Sequence, residues 1–310
     1  METESPSHFF ILGAAKCGTT SLYHLLDQHP EICMSKPKEP TFLERDYHQG
    51  LGHYHKTCFA HYQGQPFAGE ARHRNLYLKY VPKRIAEMFP NAALFAILRN
   101  PVERAFSHYL HRRRHGQEKL SFEDALEEDA ARIERERGIS DDDLERIHCR
   151  DLSEFGSTTN RRTYLDTGYY ALQLKRYEDC FGGRKVKVFL TEDLHKDPAG
   201  VYRSMLQAIS SNLKPVHVDH RPQNENPGSW VALGERLGRR VPALETLSRS
   251  LVPKTWRPKL RSVVKRAERW VSVEGGLKMR PQTRGMLIDH YREHNHALAG
   301  MLGRDLSGWE

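Results

Sequence analysis

The feature that most constrains the fold is a short apolar run, His8 to Leu12, that passes through a glycine-containing turn into a helix-forming segment. The turn covers residues 13–21 and reads Gly-Ala-Ala-Lys-Cys-Gly-Thr-Thr-Ser, and the helical segment ends before Pro30. A strand that turns directly into a helix is typical of α/β folds. Because the first amides of a helix are free and its amino end is positive, such a turn can bind phosphate or sulfate.

A second strand and helix repeat this plan further along the chain. Residues 92–98 are apolar, Asn100 can cap a helix, Pro101 suits the first helical position, and Glu103 stands three residues after the cap. The two units therefore predict parallel strands that each lead into a helix.

Three more strands are predicted, at Lys185 to Leu190, Ile32 to Ser35 and Pro66 to Ala71. Asp197 and Pro198 are placed to begin the helix that follows the first of these. We therefore predict a three-layer, P-loop-like α/β fold, with a central, mostly parallel sheet of about five strands flanked by helices.

The chain length of 310 residues predicts a single domain, residues 1–310, with two additions. A charged helical insertion is expected at about 117–150, with Ser121 and Ser140 as helix caps; it is either a solvated surface element or a lid over a ligand cleft. A helical C-terminal part is expected at about 228–310. Within it, residues 254–269 predict an amphipathic basic helix, either a solvated face or a contact with an anionic membrane or acidic ligand.

Charge and cysteine content limit the function classes. A formal net charge of +8 suggests a polyanionic partner but does not separate nucleic acid, anionic lipid, acidic glycan and a phosphorylated cosubstrate. Five cysteines without a CxxC pair argue against a disulfide framework and a zinc ribbon. The sequence lacks a signal peptide, a long apolar run and HExxH or EF-hand motifs, so we expect a cytoplasmic protein without a metal site.

The turn at 13–21 has the chemistry of an oxyanion site. Gly18 allows the backbone to approach an anion closely, Thr19 and Thr20 offer hydroxyl and amide donors, and Lys16 adds a positive charge. A Walker A loop would have lysine in place of Thr19, so an ordinary ATPase is disfavoured.

A second anion site is predicted at the carboxyl end of the strand at 92–98. Arg99 can bind a phosphate through two hydrogen bonds, and Ser107 can donate another from the following helix. Taken alone, Arg99 is also compatible with a surface ion pair.

Taken together, the segments 15–22 and 99–109 resemble the paired nucleotide-binding signatures of sulfotransferases that use 3′-phosphoadenosine-5′-phosphosulfate (PAPS). The resemblance implies that the first turn holds the 5′-phosphosulfate and that Arg99 and Ser107 hold the 3′-phosphate. The positions that it marks as cosubstrate-binding are Lys16, Cys17, Gly18, Thr19, Thr20, Ser21, Arg99 and Ser107. Segments 168–177, 192–198, 291–295 and 302–309 are also similar to the bacterial branch of this family.

Within the family, the chain resembles the heparan sulfate and related carbohydrate sulfotransferases. The segment 38–42, Lys-Glu-Pro-Thr-Phe, is similar to their Lys-Glu-x-x-Phe, which implies that Glu39 is the general base and that Lys16 assists catalysis. The chain departs from the family at Pro40 and Thr41, and again at residues 72–75, Arg-His-Arg-Asn. These basic residues could meet an anionic acceptor or form a structural ion-pair cluster.

The resemblance implies in-line transfer of a sulfuryl group from PAPS to a hydroxyl or amine of a carbohydrate, lipid or natural-product acceptor. The cosubstrate would leave as 3′-phosphoadenosine-5′-phosphate (PAP), and no metal or nucleic acid is required. Two alternatives stay open: a P-loop small-molecule kinase, which needs a Walker lysine and a magnesium-binding acid, and a non-catalytic binder of polyanions or membranes through residues 254–269.

Overall fold

A computed structural model of the protein describes residues 6–155, 161–219 and 277–310. Its centre is one sheet of five parallel strands in the order β2-β3-β1-β4-β5. The strands are β1 (Ser7–Ile11), β2 (Ile32–Met34), β3 (Phe67–Ala71), β4 (Ala93–Leu98) and β5 (Lys187–Leu190). Each begins and ends within two residues of its predicted position, so the predicted three-layer α/β fold is confirmed.

Helices surround the sheet. They are α1 (Thr19–Asp27), α2 (Gly50–Cys58), α3 (Arg74–Tyr77), α4 (Val81–Met88), α5 (Pro101–Arg114), α6 (Phe122–Glu136), α7 (Asp141–Phe155), α8 (Tyr170–Cys180), α9 (Thr191–Lys196), α10 (Pro198–Ile209) and α11 (Pro281–Leu302). Helix α1 connects β1 to β2 in one direction and α4 connects β3 to β4 in the other, so right-handed crossovers place them on opposite faces of the sheet.

Helix starts follow the polar residues that the sequence marked as caps. The side chain of Asn100 accepts from the amides of Val102 and Glu103, at 2.9 and 3.5 Å. Asp197 Oδ1 accepts from the amide of Gly200 at 2.8 Å and begins α10 in the same way. These bonds satisfy amides that have no partner inside the helix, and they fix where each helix leaves the sheet.

The strand order creates a crevice at one place in the sheet. The chain leaves β1 toward β2 on one side and leaves β4 toward β5 on the other, so the carboxyl ends of β1 and β4 flank a topological switch point. The pairing of these two strands continues beyond β1: the amide of Ala14 donates to Ile97 O and the amide of Ile97 donates to Gly13 O, both at 2.8 Å. The turn after β1 therefore starts beside the end of β4.

The charged segment at 117–150 contains α6 and most of α7. Helix α7 packs on a short π-helical turn at Phe42–Asp46, where Cys149 Sγ donates to Glu44 O at 3.3 Å. At the other end of the chain, Tyr291 of α11 is buried, and its hydroxyl donates to Leu165 O at 2.9 Å. The predicted basic helix at 254–269 lies outside the described residues, so the domain outline as a whole stays a prediction. In the described parts, no helix is both long and apolar enough to cross a membrane.

A buried ion pair joins the end of β3 to the π-helical turn. Arg72 follows β3 and contacts Glu44, and their side chains are 1% and 0% exposed. Arg74 adds a second contact, with its Nε 3.4 Å from Glu44 Oε2. Burial raises the pKa of Glu44, but Arg72 and Arg74 lower it more, so the net pKa is lowered and the group stays ionised.

Breaking this pair should destabilise the protein strongly. We expect Arg72→Met to lower the free energy of unfolding by about 3–5 kcal/mol, because it leaves the Glu44 carboxylate buried without its main partner. Urea unfolding measures the change. The matched control is Arg146→Met, which removes an exposed pair with Asp143 and should cost about 0–1 kcal/mol. Equal effects of the two substitutions would contradict a structural role for Arg72.

Candidate active site

The turn after β1 is shaped by two backbone conformations. Gly18 has φ +115° and immediately precedes α1. A Cβ at this position would lie 3.2 Å from Ile97 Cδ1 and 3.3 Å from Leu194 Cδ2, so glycine suits both the conformation and the space. Lys16 has φ +67°, which is uncommon for a residue with a side chain. The amides at the start of α1 have no acceptor within the helix and are available to an anion.

Lys16 lies among other basic groups. Its Nζ is 3.4 Å from His111 Nδ1 on α5. Burial lowers the pKa of Lys16, the nearby Arg114 and Arg99 lower it further, and Glu39 acts in the opposite direction. Arg99 and Glu39 thus both lie within electrostatic reach of Lys16, although the three residues come from separate segments of the chain. Such a concentration of positive charge favours an anionic ligand.

The second turn follows β4. The side chains of Arg99 and Ser107 form no hydrogen bond or ion pair with any residue in the described ranges, and both are partly exposed. Ser107 stands four residues before His111 on α5, so the two share one face of the helix. Because His111 contacts Lys16, this face of α5 borders the first turn. The surface-ion-pair alternative for Arg99 therefore has no support in the described residues.

Two residues join the turns through their backbone carbonyls. The Thr191 hydroxyl lies 2.8 Å from Cys17 O and 3.1 Å from Leu98 O, and donates to them. The Tyr170 hydroxyl donates to Arg99 O at 2.9 Å. Sequence reasoning did not single out either residue. The available signal for Thr191 was its position directly after β5, at the same edge of the sheet as both turns.

The side chains of the first turn divide into two groups. Cys17 is 1% exposed and its Sγ lies 3.9 Å from the Tyr170 hydroxyl. Burial raises the pKa of the Cys17 thiol to about 11, so it is neutral and packs in the core. Its contribution to an anion site is limited to its backbone. Lys16, Thr20 and Ser21 are partly exposed, whereas Thr19 is buried.

Glu39 is held by two basic neighbours. Its Oε1 lies 3.0 Å from Lys38 Nζ and its Oε2 lies 2.8 Å from His73 Nδ1. Burial raises the pKa of Glu39, but His73 and Lys38 lower it more, so the net pKa lies well below the usual range. Arg72 Nη1 donates to Glu39 O at 3.0 Å. The backbone of Glu39 has φ +53°.

The residues that depart from the family pattern, 72–75, have separate roles. Arg72 and Arg74 form an ion-pair cluster with Glu44, and the side-chain amide of Asn75 donates to Glu70 Oε1 at 2.8 Å. The two arginines thus take part in the structural cluster that the sequence left as one of two alternatives. His73 instead contacts Glu39.

A cavity of about 120 Å³ opens beside the first turn. Ala15, His73 and His111 contribute to its wall, and His148 of α7 closes it on the side of the charged segment. A wider groove of about 470 Å³ lies between α6 and α7, and none of the residues of the two turns line it. Among the described residues, no group of three or more His, Cys, Asp or Glu side chains could hold a metal ion.

Comparison with known proteins gives consistent results. Residues 6–220 match the profile of the sulfotransferase domain family. The bifunctional heparan sulfate N-deacetylase/N-sulfotransferase 1 of Xenopus laevis is 23% identical over 322 residues, covering 96% of this chain and 30% of that protein. The corresponding enzyme 2 of Homo sapiens is 26% identical over 258 residues, covering 78% of this chain and 27% of that protein. The chain thus spans less than a third of the length of these relatives.

A solved structure is similar over nearly the whole chain. It is a sulfotransferase from Alicyclobacillus acidocaldarius, with a TM-score of 0.65, 26% sequence identity and 98% of each chain covered. The family profile covers more than half of this chain, and the matched residues include the turns after β1 and β4. The chain therefore belongs to the sulfotransferase domain family.

Proposed function

We propose that the protein transfers a sulfuryl group from PAPS to a hydroxyl or amine of a carbohydrate, lipid or natural-product acceptor. The observation that carries this proposal is the adjacency of two anion-binding turns at the switch point of the sheet. One contains Lys16 beside free helix amides, and the other contains Arg99 and Ser107, which have no other partner among the described residues. A nucleotide with phosphates at two distant positions matches that pair of turns.

The residues present fit PAPS at both ends. The left-handed Gly18 and the first amides of α1 form a concave site for the 5′-phosphosulfate, next to Lys16. Arg99 and Ser107 offer charged and neutral donors for the 3′-phosphate. The cosubstrate supplies the sulfuryl group and leaves as PAP.

Lys16 and the amino end of α1 would stabilise the negative charge that develops during transfer. Negative charge grows on the bridging oxygen as the sulfuryl group departs, and a partly buried ammonium beside that oxygen stabilises it more than it would in water. The repulsion of Lys16 by Arg99 and Arg114 in the unliganded protein also favours binding of an anion between them.

Glu39 is the proposed base. Its ion pairs keep the carboxylate ionised and make it a weak proton acceptor. A weak base is sufficient here, because a loose transition state depends more on positioning and charge stabilisation than on activation of the nucleophile. His73 holds one carboxylate oxygen at 2.8 Å and fixes its direction. Glu39 would thus orient the acceptor O–H or N–H and receive its proton late in the reaction.

The names of the relatives suggest which acceptor class to test first. Two of the proteins compared above are named for N-sulfation of heparan sulfate, so carbohydrate is the first acceptor class to test.

A cytoplasmic location is part of the same proposal. None of the five cysteines, all of which lie in described ranges, forms a disulfide, as suits a reducing compartment.

The two alternatives have less support. A P-loop kinase would need lysine after Gly18, where Thr19 begins α1. A binder of polyanions or membranes through residues 254–269 would leave the two anion-binding turns without a role. Neither alternative accounts for Arg99 and Ser107 at the switch point.

Transfer of ³⁵S from labelled PAPS, without added metal, tests the function and the base together. We expect labelling of an acceptor from a panel of amino sugars, neutral sugars and glycolipids, and loss of about 10²-fold or more in turnover for Glu39→Gln with PAP binding retained. The control Glu31→Gln alters an exposed glutamate at the other end of the sheet and should behave as wild type. Normal turnover by Glu39→Gln would remove Glu39 as the base.

Arg99→Ala tests the 3′-phosphate site. Because the 3′-phosphate would lose a charged hydrogen-bonded contact, PAP should bind more weakly by about 1.5–3 kcal/mol, measured by calorimetry. Adenosine 5′-phosphosulfate, which lacks the 3′-phosphate, should bind the variant and the wild type equally. An equal loss for both nucleotides would mean that Arg99 serves another part of the site.

Thr191→Val tests whether the link between the turns matters for binding. The substitution keeps the shape and removes the hydroxyl that bonds Cys17 O and Leu98 O, so PAP affinity should fall by about 0.5–1.5 kcal/mol. Thr191→Ser keeps the hydroxyl and should bind PAP as the wild type does. If valine and serine variants bind alike, the two turns are positioned independently of Thr191.

A further inference from the structure

The cavity beside the first turn has an unusual lining. Its wall combines the turn after β1, the end of β3, the middle of α5 and one residue of α7. Basic and imidazole side chains dominate it, namely His73, Arg74, His108, His111, Arg112, His148 and Arg161. No carboxylate is among the twelve described residues that line it, although carboxylates outside the wall partner two of the arginines: Glu44 contacts Arg74, and Glu136 contacts Arg161.

His148 is a buried polar group that has no partner among the described residues. Its side chain is 4% exposed, and neither ring nitrogen forms a hydrogen bond within the ranges that the structure describes. Buried polar groups in native proteins are nearly always hydrogen-bonded, so such a group in a cavity wall points to a ligand or water there. His108, in the same wall, has an Nδ1 that is also unpartnered by any described residue. Burial lowers the pKa of both histidines, and nearby arginines lower it further, so they are neutral donors or acceptors while the arginines supply the charge.

The cavity adjoins both proposed catalytic side chains. His111 in its wall lies 3.4 Å from Lys16 Nζ, and His73 in its wall lies 2.8 Å from Glu39 Oε2. A ligand group in the cavity would therefore lie against His111 and His73, the two side chains that contact Lys16 and Glu39. A volume of about 120 Å³ suits one small group and not a whole ligand, since whole-ligand pockets span about 300–1,000 Å³.

We propose that this cavity binds an anionic oxygen group of the acceptor, a carboxylate or a tetrahedral sulfate or phosphate, while the nucleophile of the same acceptor faces Glu39. This inference rests on the proposed function, because it assigns the cavity to the acceptor. Arg74, Arg112 and Arg161 bring positive charge to the cavity wall, and this charge favours an anionic group of the acceptor over a neutral one. The single N–H of the neutral His148 ring and the guanidinium groups are the donors that such an oxygen anion would meet.

The test uses the full-length protein saturated with PAP, so that both anion-binding turns are filled. Crystals of this complex are soaked in sodium selenate, whose anomalous signal locates the ion, and histidine side-chain NMR resonances are followed during titration with selenate and, separately, with acetate. We expect selenate in the cavity and a shift of the His148 resonance. Tighter binding of selenate would indicate a tetrahedral group, and tighter binding of acetate would indicate a carboxylate.

Three variants complete the test. His148→Gln, and Thr163→Glu, which adds a carboxylate at the wall, should each weaken anion binding about 10-fold or more with PAP affinity retained. Arg146→Gln, on the exposed side of α7, should change nothing. If the protein binds PAP but no selenate enters the cavity, the inference is wrong while the proposed function stands. The same holds if neither cavity variant weakens selenate binding. Failure of the wild type to bind PAP would contradict the proposed function and the inference with it.

Discussion

The site depends on the hydrogen bonds that continue the β1–β4 pairing past the end of β1. Gly13 and Ala14 exchange backbone bonds with Ile97, so the turn at 13–21 starts at a fixed distance from Arg99. A Cβ on Gly13 would lie 2.9 Å from His73 O, which shows how closely the end of β3 approaches the same point. Three strand ends thus converge, and Lys16, His73 and Arg99, which follow them, are residues on which the proposed function and the acceptor site depend.

A second constraint fixes Glu39. It lies on the connection between β2 and the π-helical turn, and its amide donates to Ala71 O at the end of β3 at 3.4 Å. Arg72 reaches its carbonyl oxygen at 3.0 Å and contacts Glu44 from the same side chain. A buried ion pair adds little net stability but is expensive to break, so it can hold a strained loop in one position. The order of Glu39 therefore depends on the burial of Arg72.

The sequence predicted the parts that arise from local pattern. The five apolar runs form the five strands. Helices are capped by Asn100, Ser121, Ser140 and Asp197, because a short polar side chain before a helix can accept a hydrogen bond from one of its unpaired amides. Contacts between distant segments had no local signal. Thr191 joins residues 174 and 93 positions away, and His148 reaches the cavity from the charged segment, for which the sequence left a surface element and a lid both open. The sequence also left Arg72 open between an acceptor contact and an ion-pair cluster, because it does not show that Glu44 is buried beside it.

The proposed function requires that the two turns bind one nucleotide that carries phosphate groups at its 5′ and 3′ positions. Calorimetric titration of the protein with PAP in the absence of metal tests it most directly, with adenosine 5′-phosphosulfate and ATP as comparisons. The account predicts tight, one-to-one binding of PAP, with both other nucleotides weaker by at least the worth of a charged hydrogen bond, about 1.5–3 kcal/mol. Absence of PAP binding, or a preference for ATP with magnesium, would contradict it.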